Sequence, residues 1–213
     1  MIMTQFKRPQ ALFVPGPTGL LECRVRPVKP GLRPRGLAVL LHPHPLYEGS
    51  MNNKVVTTLE KSFLDAGWQT LAFNFRGVGR SEGVYDEGRG EQADLAAVVT
   101  WAQGLYGELP LALGGFSFGS YIALSQAEAL QARYVITVAP PVSLYRFDQL
   151  ALPVSARWSL IQGGQDEVVP PHKVANWMRG LAVRPDVYWR EPASHYFHGE
   201  LIWLRRIVAA CLS

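Results

Sequence analysis

Cysteine is scarce in this sequence: its 213 residues contain two, Cys23 and Cys211. Neither belongs to a C-x-x-C or zinc-finger spacing, and thiols near opposite ends of a chain make a poor disulfide framework, which leaves free thiols in a reducing cytoplasm. Long apolar runs are missing as well. The opening stretch "MIMTQFKRPQALFVPGPTG" carries only a four-residue apolar run before Pro15. That is too short for a signal-peptide core or a membrane span, so a soluble cytoplasmic protein with no membrane partner is expected. Nor does one sign of charge dominate: 21 Lys and Arg against 17 Asp and Glu leave a net charge of +4. The basic stretch "CRVRPVKPGLRPRG" gathers Arg24, Arg26, Lys29, Arg33 and Arg35, but prolines and glycines break it and no aromatics interleave. It fits no nucleic-acid module and reads as a solvated hairpin and loop.

What is present is a core. Hydrophobic residues make up 48% of the chain, enough for a single domain spanning 1–213, with no internal repeat or linker to divide it. From about residue 36, short apolar runs alternate with stretches of helical period, the pattern of a mostly parallel sheet covered by helices on both faces. The predicted strands are 37–41, 70–75, 111–116, 134–138, 159–162 and 186–190. The predicted helices hold Val55, Val56, Leu59 and Phe63 on one face with Gly67 as the stop, then run over about 91–105, 117–130, 171–179 and 198–212. Ahead of these, "ALFVPGPTGLLECRVRPV" reads as two strands joined by a Pro/Gly turn, an antiparallel edge on the same sheet.

Two serines stand in a G-x-S-x-G spacing, Ser117 in "GGFSFGS" and Ser81 in "GRSEG", and their settings differ. Ser117 stands where the buried strand "LALGGF" meets a helical pattern. A serine on so sharp a strand-to-helix turn has a strained backbone, tolerated only where the residues two before and two after carry no bulky side chain, as Gly115 and Gly119 do not. The turn also directs the Phe118 N–H and the positive end of the following helix toward a developing oxyanion. Ser81 has no such setting and reads as a loop residue. A helix N-cap serine beside packing glycines is the structural alternative for Ser117.

A serine hydroxyl needs a base oriented by a carboxylate, and in a doubly wound sheet both should follow later strands. The sequence offers Asp166 in "GGQDEVVPP" and His195 and His198 in "EPASHYFHG". The order Ser, Asp, His is that of α/β-hydrolases. With "FNFRGVGRSEG", "QGGQDEVVP" and "ASHYFHG" beside the serine turn, the chain resembles the α/β-hydrolase family from about residue 36 to the end. Its "LLHPHPLYEGSMNNKVV" block is similar to a small bacterial branch of serine hydrolases loosely related to dienelactone hydrolases. The resemblance implies His195 as base, with His198 a packing or helix-start residue. It implies Asp166 as the acid, with Glu167 as fallback.

Many members of that family have His-Gly after the strand that here ends in Leu41, and the next backbone N–H completes the oxyanion hole. Here the stretch is "HPHP". Proline has no N–H, so His44, between Pro43 and Pro45, supplies the amide, with Leu46 as the other candidate donor. A structural role bonded to loop backbone fits the His42 side chain. No metal-binding spacing such as H-E-x-x-H occurs, so no metal or other cofactor is expected. Only "APPVSLYRFDQLALPVSARW" separates the strands near 138 and 159, too short for a helical cap, so an open, lidless site is expected. Leu46, Tyr47 and Tyr196 are its substrate-binding candidates, and Phe116, Phe118, Tyr145 and Phe147 are further possible lining, with core the better reading for Phe116. The expected activity is hydrolysis of a carboxylic ester, short-chain or exposed, through an acyl-enzyme. A thioesterase or peptidase would use the same three residues, and a non-catalytic binding protein is the rival of a different class. The expected partner is a small acyl substrate, and monomer and dimer are both compatible with the sequence.

Overall fold

The computed structural model describes residues 10–212. The first nine residues, part of the stretch read above as lacking a signal peptide, and Ser213 lie outside the described residues. Eight strands are formed: β1 (Gln10–Gly16), β2 (Gly19–Arg26), β3 (Leu37–Leu41), β4 (Gln69–Phe73), β5 (Leu111–Phe116), β6 (Tyr134–Val138), β7 (Arg157–Gly163) and β8 (Asp186–Arg190). The helices are α1 (Lys54–Asp65), α2 (Arg89–Tyr106), α3 (Phe118–Gln126), α4 (Pro171–Arg179) and α5 (Leu201–Cys211). The strands make one sheet in the order β1-β2-β4-β3-β5-β6-β7-β8. Strands β3 to β8 run parallel, while β2 pairs antiparallel with both β1 and β4. This is the expected architecture, a mostly parallel sheet with an antiparallel N-terminal edge.

The central strands read as unbroken apolar runs because each buries both faces. Alternate residues separate to opposite sides of the pleat. Leu37, Val39 and Leu41 of β3, with Leu71 and Phe73 of β4 and Leu113 of β5, pack in one core with Val98 of α2, Ile122 of α3 and Val174 of α4. Ala38, Leu40, Ala72 and Phe116 face the other way, onto Val55, Leu59 and Phe63 of α1 and Leu204 and Val208 of α5. The helices therefore cover both faces, and the loops at the carboxyl ends of the strands carry what the sheet positions. Between β6 and β7 the chain holds a single 3-10 turn, Phe147–Gln149, so no helical cap arises there.

Three details depart from the sequence reading. Helix α3 ends at Gln126 rather than near Leu130, and the following turns reach Gln131 at φ 53°. Helix α5 begins at Leu201 rather than at His198, because Phe197 and Gly199 take φ values of 53° and 78°, which no right-handed helix accommodates. The basic stretch is not simply solvated. Arg24 and Arg26 of β2 both reach the buried Glu60 carboxylate of α1 at 3.2 Å, which ties the sheet edge to that helix. Ser81 is a loop residue as read: its Oγ donates to the Asn74 carbonyl at 2.7 Å and accepts the Glu22 N–H at 2.9 Å.

The loop after β4 is held by a buried ion pair. Arg76 donates Nη2 to Asp94 Oδ1 of α2 at 2.7 Å and Nε to Oδ2 at 3.0 Å, and the same carboxylate accepts the Arg76 N–H at 3.1 Å. Both side chains are nearly sealed from water. Removing one partner leaves an uncompensated buried charge, so Asp94→Ala is expected to lower stability by about 3–5 kcal/mol, read as a shift in urea midpoint. The paired change Arg76→Met with Asp94→Leu should recover most of that loss.

Candidate active site

The turn from β5 into α3 is built by close backbone approach. A Cβ on Gly115 would lie 2.2 Å from the Gly119 carbonyl oxygen, and one on Gly119 would lie 2.4 Å from that of Leu41. Glycine at both positions lets α3 start directly against the ends of β3 and β5. Ser117, at the apex, has φ 50° and ψ −118°, a conformation costly for a residue with a side chain and found where surrounding structure enforces it. Its N–H is held by the Val138 carbonyl of β6 at 2.8 Å, and its own carbonyl accepts the Ser120 N–H and hydroxyl at 2.8 and 2.6 Å.

The loops after β7 and β8 meet this serine. His195 Nε2 lies 3.1 Å from Ser117 Oγ, and His195 Nδ1 lies 2.8 Å from Asp166 Oδ2 and 3.0 Å from Oδ1. Asp166 is itself fixed: Oδ1 accepts the Val168 and Val169 N–H groups at 3.0 and 2.7 Å, and Oδ2 accepts Gln162 Nε2 at 3.1 Å. Three donors besides the imidazole stabilise the charged carboxylate, although it is almost completely buried. Glu167 is engaged elsewhere, accepting the backbone N–H of His195 at 3.0 Å. His198 is exposed and stacks on Tyr196, with ring centroids 5.9 Å apart.

The expected oxyanion donors lie on two loops. Phe118 is the first residue of α3, where an N–H has no partner within the helix. The Leu46 N–H is taken by the His44 side chain, Nδ1 accepting it at 3.1 Å, which closes the 3-10 turn Pro45–Tyr47. That bond commits the Leu46 N–H, while the His44 N–H, between the two prolines, makes no backbone bond among the described residues.

A cavity of about 410 Å³ opens over Ser117 and His195, lined in addition by His44, Tyr47, Phe118, Tyr145 and Tyr196. Of the substrate-binding candidates, Tyr47 and Tyr196 line it. Leu46 points to solvent and does not, and Phe147 is buried against Tyr121 and Trp177. Phe116 is core, as read, and its ring backs the His195 imidazole at 5.1 Å. Sequence reasoning missed Pro43, Pro141, Leu144 and Val168, which complete the wall. Pro43, Leu144 and Val168 carried a local signal, next to His44, next to Tyr145 and two residues after Asp166. Pro141 joins them only through the sheet order. Tyr85, far away in sequence, packs on His44 and Phe118 at 4.9 and 5.9 Å.

Comparison with known proteins agrees with this arrangement. Residues 23–149 match the family model described as X-Pro dipeptidyl-peptidase (S15 family), a span that includes the "HPHP" stretch and Ser117 but stops before Asp166 and His195. The chain is 38% identical to an α/β serine hydrolase homologue from Coxiella burnetii, with a TM-score of 0.93 over 99% of this chain and 100% of that one. It is 36% identical to a serine hydrolase without lid from Xanthomonas campestris, with a TM-score of 0.91 over 97% and 94% of the two chains. An uncharacterized protein of Rickettsia prowazekii is 36% identical over 197 residues, 87% of this chain and 81% of its own length. The chain belongs to the S15 family and, with it, to the lidless serine hydrolases of the α/β-hydrolase superfamily. No described helix is long and apolar enough to cross a membrane.

His42, at the end of β3, braces the loops around the site from within. Its Nε2 accepts the Phe75 N–H at 3.0 Å, so the proton is on Nδ1, which donates to the Pro43 carbonyl at 2.6 Å. Burial pushes this imidazole from 6.5 down to about 4. The unfolded chain therefore takes up a proton at position 42 more readily than the folded one. Stability from this group is complete above pH 6.5, is lost as pH falls toward 4, and changes no further below that, amounting to roughly 3 kcal/mol. Urea midpoints measured between pH 7.5 and 4 should fall more steeply for the wild type than for His42→Gln. Parallel slopes would contradict a buried neutral histidine.

Proposed function

We propose that the protein hydrolyses carboxylic esters through an acyl-enzyme formed on Ser117. The observation that carries this reading is the line Ser117 Oγ, His195 Nε2, His195 Nδ1, Asp166 Oδ2, with 3.1 and 2.8 Å separations, at the floor of an apolar cavity. His195 removes the hydroxyl proton at Nε2 as Ser117 Oγ attacks the acyl carbon. Asp166 keeps the other imidazole proton on Nδ1 and stabilises the imidazolium that forms. The N–H groups of Phe118 and His44 receive the oxyanion. His195 then gives its proton to the leaving alkoxide, and water, deprotonated by the same nitrogen, releases the acid and restores the serine.

The matched family's description raises peptide cleavage as the second reading, since the same three residues would serve it. A dipeptidyl-peptidase must also receive the free ammonium of its substrate. Among the described residues, none that lines the cavity has a carboxylate, and an unpaired ammonium in an apolar wall is strongly disfavoured. This favours a neutral ester, short or carried on an exposed group, because the loop between β6 and β7 forms no cap. A binding protein without activity has no physical need for the three residues in bonding register. Cys23 and Cys211 are both free and buried, which supports a cytoplasmic setting.

The decisive experiment is intact-mass analysis after incubation with a fluorophosphonate. One adduct on the wild type and none on Ser117→Ala is expected, together with ester turnover in the wild type only. An unlabelled but folded wild type, under conditions that label a control hydrolase, would sink the reading. Changes that withdraw one oxyanion donor should lower kcat by roughly 10²- to 10³-fold.

A further inference from the structure

Among the polar groups of the cavity wall that have no part in the chemistry above, the side chain of His44 is the most firmly held. Its ring is surrounded by aromatic rings, with centroids 4.8 Å from Tyr47, 4.9 Å from Tyr85, 5.4 Å from Phe118 and 6.4 Å from Tyr145. Such packing fixes its orientation. Its Nδ1 accepts the Leu46 N–H at 3.1 Å, and only an unprotonated ring nitrogen accepts, so the neutral imidazole carries its proton on Nε2. Partial burial pushes its titration downward, which holds the neutral form.

The Nε2–H bonds to no other group among the described residues, and it is not one of the polar atoms sealed from solvent without a partner. It is therefore reached by solvent, and His44 borders the same cavity as Ser117 and His195. The other polar groups there are committed or uncharged. Ser117 and His195 bond to each other, and the Tyr145 hydroxyl lies 3.4 Å from that of Tyr85. Among the described residues, no lysine, arginine or carboxylate side chain lines the cavity.

We propose that His44 is a specificity-determining residue whose Nε2–H binds an ether, carbonyl or hydroxyl oxygen on a neutral, otherwise apolar ester. The inference rests on the serine-hydrolase reading and names the substrates that site prefers. A plain hydrocarbon chain would strip the Nε2–H of water and leave it unpaired, whereas an oxygen at the same place satisfies it, so the wall discriminates between two groups of nearly equal size.

Two substitutions separate this donor from the turn that His44 also caps. His44→Asn keeps an acceptor at the Nδ1 position for the Leu46 N–H and removes the Nε2–H. His44→Gln places an amide nitrogen near Nε2 and gives up the cap. The probes are phenyl methoxyacetate against phenyl butanoate, and phenyl 3-methoxypropanoate against phenyl pentanoate, each pair exchanging one CH₂ for oxygen. Each kcat/KM is divided by the ester's rate of alkaline hydrolysis. The wild type should prefer the oxygen member of at least one pair by about 10-fold, mostly in KM. His44→Asn should erase that preference and His44→Gln should keep several-fold of it. No preference in the wild type overturns the proposal, as does a preference that survives His44→Asn or is lost only in His44→Gln, which would mark His44 as a turn cap alone. A wild type that cleaves neither pair and takes no fluorophosphonate instead removes the serine-hydrolase reading itself.

Discussion

The arrangement depends on how closely α3 begins against the ends of β3 and β5. With hydrogen atoms for side chains at Gly115 and Gly119, the first turn of the helix comes to within contact distance of the Leu41 carbonyl. That approach lifts Ser117 to the apex of the turn. The strain in its backbone, φ 50°, is sustained by the Val138 carbonyl on one side and the Ser120 hydroxyl on the other. The same constraint places the unpaired amide ends of α3 beside the serine, so position and electrostatic field arise from one steric fact.

Around this turn, the loops after β3, β4 and β7 are each anchored by a buried polar side chain. His42 links the end of β3 to Phe75, Asp94 holds the loop after β4 through Arg76, and Asp166 gathers two amides of its own loop while receiving His195. Such groups are costly to bury unless satisfied, and here they are satisfied chiefly by backbone N–H groups and by one another. The sheet thus supplies a rigid platform, and these side chains transmit its rigidity to loops that carry little regular structure.

Much of this was legible in the linear chain because the central strands are buried on both faces and appear as contiguous apolar runs. The runs at 37–41, 111–116 and 134–138 match their strands residue for residue, and the more exposed edge strand at 186–190 does so as well. The serine turn was legible because its steric demand is local, five residues wide from Gly115 to Gly119. The start of α5 was read too early, since the positive φ of Phe197 leaves no mark on residue type and Gly199, at φ 78°, was the one local cue. The aromatic wall was only partly legible, because His44, Tyr85 and Tyr145 lie on separate loops and meet only once the strand order is known. Glu60 was equally silent: a glutamate on the apolar face of α1 is explained only when Arg24 and Arg26 arrive from the sheet edge.

The brevity of the crossover between β6 and β7 has a kinetic side. Without a helical cap, no closing motion stands between substrate arrival and chemistry, and no reopening stands between chemistry and release. On the proposed mechanism the acyl-serine forms in a cavity that remains in exchange with bulk solvent. Its fate is then a competition decided by abundance, and water, always present, outnumbers any alcohol or amine that could take the acyl group. On that mechanism the short loop favours hydrolysis over acyl transfer, because it leaves the intermediate open to water.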